Sequence, residues 1–264
     1  MKLEMSDGRE VEITSVRDKL NVAIVTYCKG RLASLRDTFD SYATQELSGR
    51  FQHVGVVLVD YDCPDQCGEW AKEWASRRTY PPTVVVQVQQ QPLFRQNHAR
   101  NIAALAAIEK LEADLILSID CDTRPLSSGS VQKYCELVPG AALIMPNVLE
   151  DGSHGTKGTC LFRACAFRAV RGYDESHTAF GHCDTNFYAR LAHAGQEAKI
   201  GPVEFEHLPH NDAARFRFIQ MQETPAETEH INSKWARDVS RPVNPDGYGQ
   251  FEGHTSILHP RQQI

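Results

Sequence analysis

Four short apolar runs, separated by stretches with helical spacing of apolar residues, constrain the fold of this chain most strongly. The runs are predicted to be strands and the stretches helices. The strands cover residues 21–27, 54–60, 83–88 and 114–120, and the helices cover residues 31–43, 65–78 and 97–111. Strands this apolar are covered on both faces, as in a parallel sheet. The pattern therefore predicts an α/β fold with a Rossmann-like, mostly parallel sheet flanked by helices.

The pattern is looser in the second half of the chain. Helices are predicted over residues 130–138 and 184–193, and strands over residues 141–148 and 159–164, with a strand-like stretch at 199–205. Residues 150–158 form a polar, glycine-rich segment that is either a lid or an ordinary loop. The last forty residues are rich in proline and glycine and are predicted to be irregular.

Composition excludes several classes of protein. The chain has 264 residues with 41% hydrophobic and 23% charged residues, which is typical of a globular domain. A net charge of −6 and the lack of a dense basic run argue against a nucleic-acid partner. No apolar run is long enough to span a membrane, and the opening MKLEMSDGREVEI lacks the apolar core of a signal peptide. We therefore expect a cytoplasmic protein without a membrane span.

The eight cysteines are spread through the predicted strands, helices and loops. No two close pairs have the spacing of a zinc site. The one grouping of interest is Cys63 and Cys67 with the distant His182 and Cys183, and a structural zinc there is not favoured. Free thiols are the prediction.

Two carboxylates, Asp120 and Asp122, follow a predicted strand. Ligands of such sheets bind beyond the carboxyl ends of the strands, which directs attention to residues 27–31, 60–62 and 120–122. Residues two apart in an extended chain point to the same face, so both carboxylates can reach one divalent cation. Mg²⁺ and Mn²⁺ favour such oxygen ligands. A solvated loop or a helix cap is the alternative interpretation.

Five local motifs follow one another along the chain. They are NVAIVTYCKGR with the following SYATQ, VVLVDYD, NHARN, LILSIDCD, and GYDE followed by FGHCD. In this order they resemble the motifs of the GT-A glycosyltransferases, especially the inverting family 2 enzymes and the β-1,4-galactosyltransferase family. Each motif is weakly specific alone, and their shared order over residues 21–210 makes the resemblance specific.

The resemblance implies a GT-A fold in one domain spanning residues 1–264. A nucleotide-binding half would cover about residues 20–125 and an acceptor-binding half about residues 140–264. It also implies a divalent cation, Mn²⁺ or Mg²⁺, a nucleotide-sugar donor, expected to be UDP-linked, and a carbohydrate, glycoconjugate or small-molecule acceptor. The cation would be bound by Asp122 and by His210, with His207 as the alternative, and Asp120 would contact the ribose or a metal-bound water.

The same resemblance assigns the remaining site residues. Asp184 is expected to be the general base of an inverting displacement, although it could also cap the helix that follows. Cys183 stands where many relatives have glutamate, which leaves the acceptor open. Donor contacts are expected from Thr26, Tyr27, Arg31, Asp60, Asp62, Arg100 and Asp120, and acceptor contacts from Tyr173, Asp174, Glu175, His182 and Trp235.

Two alternative functions stay open. A sugar-nucleotide nucleotidyltransferase shares this kind of sheet, but its glycine-rich phosphate loop has no counterpart in TYCKGR. An inactive, glycosyltransferase-like scaffold is the non-enzyme alternative. Joint retention of Asp120, Asp122, Asp184 and His210 favours the enzyme.

Overall fold

The computed structural model describes residues 2–4, 10–12, 18–146, 156–177, 181–210, 213, 216–219 and 224–258. Strands and helices alternate through the first half of the chain, as the apolar pattern indicates. The strands are β1 Lys2–Glu4, β2 Glu10–Glu12, β3 Leu20–Cys28, β4 Phe51–Tyr61, β5 Thr83–Val88, β6 Leu115–Ser118, β7 Thr123–Pro125, β8 Leu143–Met145, β9 Cys160–Arg163, β10 Ala198–Ile200, β11 Phe205–His207 and β12 Gly253–Leu258. The helices are α1 Leu32–Ala43, α2 Cys67–Ser76, α3 Gln96–Lys110, α4 Ser130–Cys135, α5 Ala164–Ala169, α6 Cys183–His193 and α7 Pro225–Trp235.

One eight-stranded sheet organises the fold, with the strand order β10-β8-β9-β6-β3-β4-β5-β12. The central strands β6, β3, β4 and β5 are parallel, and β8 and β10 form a further parallel pair. Strand β9 runs antiparallel between β6 and β8, and β12 runs antiparallel along the edge of β5. The prediction of a mostly parallel sheet flanked by helices is confirmed.

Apolar side chains cover both faces of this sheet. Helices α1, α2 and α4 contribute to the core on one face, where Phe39 packs edge-on against Trp74 with ring centroids 4.8 Å apart. Helices α3, α5 and α6 contribute to the core on the other face, where Tyr173 stacks on Phe187 at 4.1 Å. Two-sided burial explains why the central strands lack polar alternation. Because both faces are covered, a ligand can reach the sheet only at the ends of its strands.

The prediction of an irregular C-terminal region is wrong for residues 225–235 and 253–258. Helix α7 begins with a capping box in which Thr224 Oγ1 accepts from the Glu227 backbone N–H and Glu227 accepts from the Thr224 backbone N–H. Pro225 at the first helical position fits this start. Strand β12 is mostly exposed, and pairing with β5 stabilises it in place of burial.

Other predicted elements differ in their limits. The strand-like stretch at residues 199–205 is two strands, β10 and β11, and the strand predicted at 141–148 corresponds to β8, Leu143–Met145. Residues 147 and 148 of that prediction lie outside the described residues. Helix α5 follows β9 directly and was not predicted. Residues 150–155 of the predicted loop lie outside the described residues.

A buried asparagine joins two of the sequence motifs. Asn101 of α3 is fully buried, accepts from the Tyr173 backbone N–H at 2.7 Å, and donates to the Tyr173 carbonyl and to Glu175 Oε1, both at 2.8 Å. The NHARN and GYDE motifs are therefore held together by one amide group.

We expect Asn101→Ala to lower the free energy of unfolding by about 1–3 kcal/mol or more, because buried polar partners lose their hydrogen bonds. Chemical denaturation measures the change. Gln52→Ala is the control, since it removes only an exposed amide that bonds Asn21 at 2.9 Å. Equal stability of the two variants would contradict a structural role for Asn101.

Candidate active site

The carboxyl ends of β3, β4 and β5 are tied together by a buried lysine. Lys29, only 7% exposed, donates from Nζ to the carbonyls of Asp62 at 2.6 Å, Gln91 at 2.7 Å and Tyr61 at 3.2 Å. The segments after three neighbouring strands are thereby fixed relative to one another. The burial of Lys29 was not predicted, because nothing in the sequence TYCKGR distinguishes a buried ammonium group from an exposed one.

Helix α1 positions the segment that carries Asp120 and Asp122. Thr38 donates from Oγ1 to the Cys121 carbonyl at 2.9 Å, and Tyr42 donates from its hydroxyl to the Thr123 carbonyl at 2.6 Å. Both side chains are fully buried. The backbone that carries the two carboxylates is therefore fixed by hydrogen bonds to α1.

A carboxylate and two imidazoles meet at this strand end. The ligand atoms of Asp122, His207 and His210 all lie within 4.8 Å of one another. His207 Nδ1 is 3.5 Å from Asp122 Oδ1, and His210 Nε2 is 3.3 Å from Asp122 Oδ2. The antiparallel pair β7–β11 brings them together, since His207 lies opposite Thr123 and Leu208 N–H donates to the Asp122 carbonyl at 2.7 Å.

The chemistry of this trio suits a divalent cation. Asp122 is almost completely buried, and Arg31 donates to its Oδ2. Burial alone raises the pKa of Asp122, but His207, Arg31 and His210 outweigh it, so this pKa lies below its usual range. His207 Nδ1 is buried without a hydrogen bond in the described part of the chain. One carboxylate with two imidazole nitrogens is a donor set that can hold a divalent metal ion.

A second carboxylate network lies around Arg100. The guanidinium, 1% exposed, donates from Nε to the Tyr27 hydroxyl at 2.6 Å, from Nη1 to Asp184 Oδ1, and lies 3.5 Å from Asp120 Oδ1. Tyr27 in turn donates to Asp120 Oδ1. Burial opposes the charge of Arg100, but Asp184, with Tyr27, Tyr173 and Asp120, raises its pKa well above the ordinary value. One permanent cation thus orients both Asp120 and Asp184.

Asp184 is a carboxylate in the first turn of α6. The N-cap residue of this helix is His182, with φ of 61° and no side-chain capping bond, so the alternative that Asp184 is the N-cap is wrong. Burial raises the pKa of Asp184, and the attraction of Arg100 offsets only part of that effect. A carboxylate with a raised pKa is better matched to accepting a proton near neutral pH.

Known proteins similar to this chain are found through its structure and not through its sequence. No protein-family model matches the sequence, and no curated protein matches it. Among solved structures, the mannosyltransferase PcManGT from Pyrobaculum calidifontis, in complex with GDP-Man and Mn²⁺, superposes with a TM-score of 0.60. Its sequence identity is 13%, and the match covers 84% of this chain and 73% of that chain. 

Two further solved structures match over most of this chain. The catalytic domain of Drosophila β1,4-galactosyltransferase 7, in complex with xylobiose, has a TM-score of 0.52 and 15% identity, with 86% of this chain and 82% of that chain covered. S. aureus TarS 1-349, in complex with UDP-GlcNAc, has a TM-score of 0.57 and 11% identity, with 79% and 64% covered. The chain has the GT-A fold.

Within this GT-A fold, the residues predicted to contact the donor differ in accessibility. Thr26 is fully buried. Asp60, 6% exposed, accepts from the N–H groups of Cys63 at 2.8 Å and Gly68 at 3.0 Å, whereas Asp62 is exposed and accepts from Gln91 N–H. Burial raises the pKa of Asp60. Their donor contacts stay predictions, as does that of Arg100.

The predicted acceptor residues of the GYDE motif have structural contacts. Tyr173 is fully buried, and Asp174, 2% exposed, accepts from Ser176 and from Arg241. Glu175 accepts from Gly249 N–H at 2.7 Å as well as from Asn101. These contacts hold the motif in place, and direct contact with an acceptor stays a prediction.

Trp235 and His182 are the other predicted acceptor residues. Trp235 stacks on His177 with ring centroids 4.4 Å apart, and the Arg241 guanidinium lies 4.8 Å from the Trp235 ring centroid. His182 precedes α6 and is two residues from Asp184. His182 is therefore placed next to the candidate base, while Trp235 already has aromatic and cationic partners.

Gly158 brings the end of the predicted loop against the carboxylate network. A β-carbon at this position would lie 2.6 Å from Arg100 Nη2 and 2.9 Å from Asp120 Oδ2. Only glycine lets the backbone approach these groups so closely. The described end of the glycine-rich segment is thus part of the candidate site.

Proposed function

We propose that this chain is a metal-dependent, inverting glycosyltransferase that transfers a sugar from a UDP-linked donor to a hydroxyl acceptor. One observation carries the proposal. The trio Asp122, His207 and His210 and the Arg100-held Asp184 occupy the carboxyl end of the sheet of a GT-A fold. The first supplies a cation site and the second a base, which are the two groups that such a transfer requires.

The donor would bind at the trio. Asp122, His207 and His210 would hold Mn²⁺ or Mg²⁺, and Asp120 would contact the ribose or a metal-bound water. A bound divalent cation stabilises negative charge on a leaving diphosphate. Arg31, which is partly exposed and pairs with Asp122, is placed to contact phosphate oxygens instead when a donor enters. Structures that match this chain contain GDP-Man with Mn²⁺ in one case and UDP-GlcNAc in another, which supports a nucleotide-sugar donor.

Asp184 would act on the acceptor. Arg100 fixes one carboxylate oxygen, Oδ1, and Oδ2 would accept the proton of the attacking hydroxyl. The hydroxyl oxygen forms the new bond to the anomeric carbon as the bond to the diphosphate breaks on the opposite side. Direct displacement with one base and no enzyme nucleophile inverts the anomeric configuration.

The acceptor is proposed to be a carbohydrate, glycoconjugate or small molecule, and a cytoplasmic location belongs to the same proposal. In the described part of the chain, no helix combines the length and the apolar character needed to cross a bilayer.

We expect His207→Ala and His210→Ala each to weaken Mn²⁺ affinity by at least about tenfold, since even residues outside the first ligand sphere affect metal affinity this much. Competition with a metal-binding dye measures the change without requiring activity. His193→Ala, at an exposed position in the last turn of α6, is the matched control. An unchanged affinity in both site variants would show that the cation binds elsewhere.

The proposed reaction is tested by incubating the protein with UDP-, GDP- and dTDP-sugars, Mn²⁺ and a panel of acceptors. Released nucleoside diphosphate identifies the donor, and proton NMR of the product gives its anomeric configuration. We expect release from a UDP-sugar and an inverted product. Retention would refute the displacement mechanism. If no donor is consumed but nucleotides still bind, the chain is an inactive scaffold.

A further inference from the structure

Three cysteine thiols from separate segments meet directly behind the candidate active site. The Sγ atoms of Cys28, Cys63 and Cys67 all lie within 4.8 Å of one another. Cys28 ends β3, Cys63 follows β4, and Cys67 begins α2. The thiol of Cys121, between Asp120 and Asp122, lies beside that of Cys28 in the same buried cluster. All four are free thiols, and together they are termed the thiol cluster.

The thiol cluster has the arrangement of a metal site. Its members are 1%, 9%, 0% and 5% exposed in chain order, so the sulfurs face one another away from solvent. Tetrahedral zinc with Zn–S bonds of about 2.3 Å places its sulfurs about 3.8 Å apart, which the present separation of the Cys28, Cys63 and Cys67 sulfurs allows with small shifts. Cys63 and Cys67 are separated by three residues, within the spacing of zinc-binding cysteine pairs. Sequence analysis grouped this pair with Cys183, whereas the structure brings Cys28 to it.

One backbone donor points at the thiol cluster. The Gly30 backbone N–H donates to Cys63 Sγ at 3.1 Å. Cysteine ligands bind metals as thiolates, and donation from an N–H group stabilises the negative charge of a thiolate.

We propose that Cys28, Cys63 and Cys67, with Cys121 as the fourth ligand, bind one Zn²⁺ in a structural site. All-sulfur ligands suit thiophilic ions such as zinc, whereas the trio offers oxygen and nitrogen ligands, so the chain would hold two metals of different chemistry. The zinc would join the ends of β3, β4 and β6, from which Arg31, Asp62 and Asp122 extend. This inference goes beyond the proposed function and does not depend on the group transferred.

The test measures zinc in the full chain, purified under reducing conditions, by elemental mass spectrometry. We expect one zinc per chain in the native protein and in Cys135→Ser, which removes a buried thiol outside the thiol cluster. Asp122→Ala should also retain zinc, while Cys63→Ser and Cys67→Ser should lose it. Loss of zinc in Asp122→Ala would place the ion at the trio and overturn the proposal.

A spectroscopic test keeps the proposal falsifiable if the cysteine variants do not fold. Co²⁺ replaces zinc in the native chain, and we expect thiolate-to-cobalt charge-transfer bands together with the intense visible bands of tetrahedral cobalt. Native protein with neither zinc nor these bands would overturn the proposal. A disulfide among the four cysteines in peptides mapped without reduction would overturn it as well.

Discussion

Replacing Asp184 with asparagine is expected to lower kcat by about 10²–10⁴-fold, the usual contribution of a positioned general base. Asparagine keeps the shape of the side chain and can still accept from Arg100, so the site should stay assembled. Only the capacity to take a proton is lost. Steady-state kinetics with the identified donor and acceptor gives the ratio.

Three further results separate this role from a structural one. Asp37→Asn, an exposed substitution on α1, should leave kcat unchanged, and Asp184→Asn should bind UDP with Mn²⁺ as tightly as the native chain. Because burial raises the pKa of Asp184 despite Arg100, native kcat should fall with decreasing pH through a pKa above that of an ordinary aspartate. The variant should lack this acidic limb. A full native rate in Asp184→Asn would eliminate Asp184 as the base.

Arg100→Met is expected to lower the free energy of unfolding by about 3–5 kcal/mol, the cost of breaking a buried ion pair from one side. The guanidinium is 1% exposed, and the side chains of Asp184 and Asp120 are 18% and 27% exposed. Methionine fills similar volume but leaves Asp184 without its cation. Denaturant unfolding at neutral pH measures the loss.

The double variant Arg100→Met with Asp184→Asn is the control for that interpretation. If the cost comes from an unpaired carboxylate, neutralising Asp184 should recover part of the lost stability. Additive losses in the double variant would indicate that Arg100 acts through packing against Tyr27 and Tyr173 instead.

The pattern of apolar residues predicted the central sheet, because the strands are apolar throughout and the flanking helices have apolar residues at regular helical spacing. Strand β12 was missed for the opposite reason, since an exposed edge strand has no burial pattern and depends on its register with β5. Helix α7 could have been found, because Thr224, Pro225 and Glu227 form a recognisable helix start. Because the region is rich in proline and glycine, it was predicted to be irregular despite this helix start.

The candidate site could be predicted in part. The resemblance named Asp122, His207 and His210, and the structure brings all three together. The burial of Arg100 and the meeting of Cys28 with Cys63 could not be predicted from local sequence. The first depends on how α3 packs against β3, and the second on the parallel register of β3 and β4, in which Cys28 lies opposite Asp60. Both are long-range outcomes of folding.

Metal-dependent nucleotide binding is measured by calorimetric titration of UDP into the native chain and into Asp122→Ala, each with and without Mn²⁺. We expect UDP to bind the native chain in the presence of Mn²⁺. Binding should weaken strongly when Mn²⁺ is omitted, and again when Asp122 is replaced. UDP binding that is equal with and without Mn²⁺ would contradict a metal-dependent donor site at Asp122, as would the failure of UDP, GDP and dTDP to bind under any of these conditions.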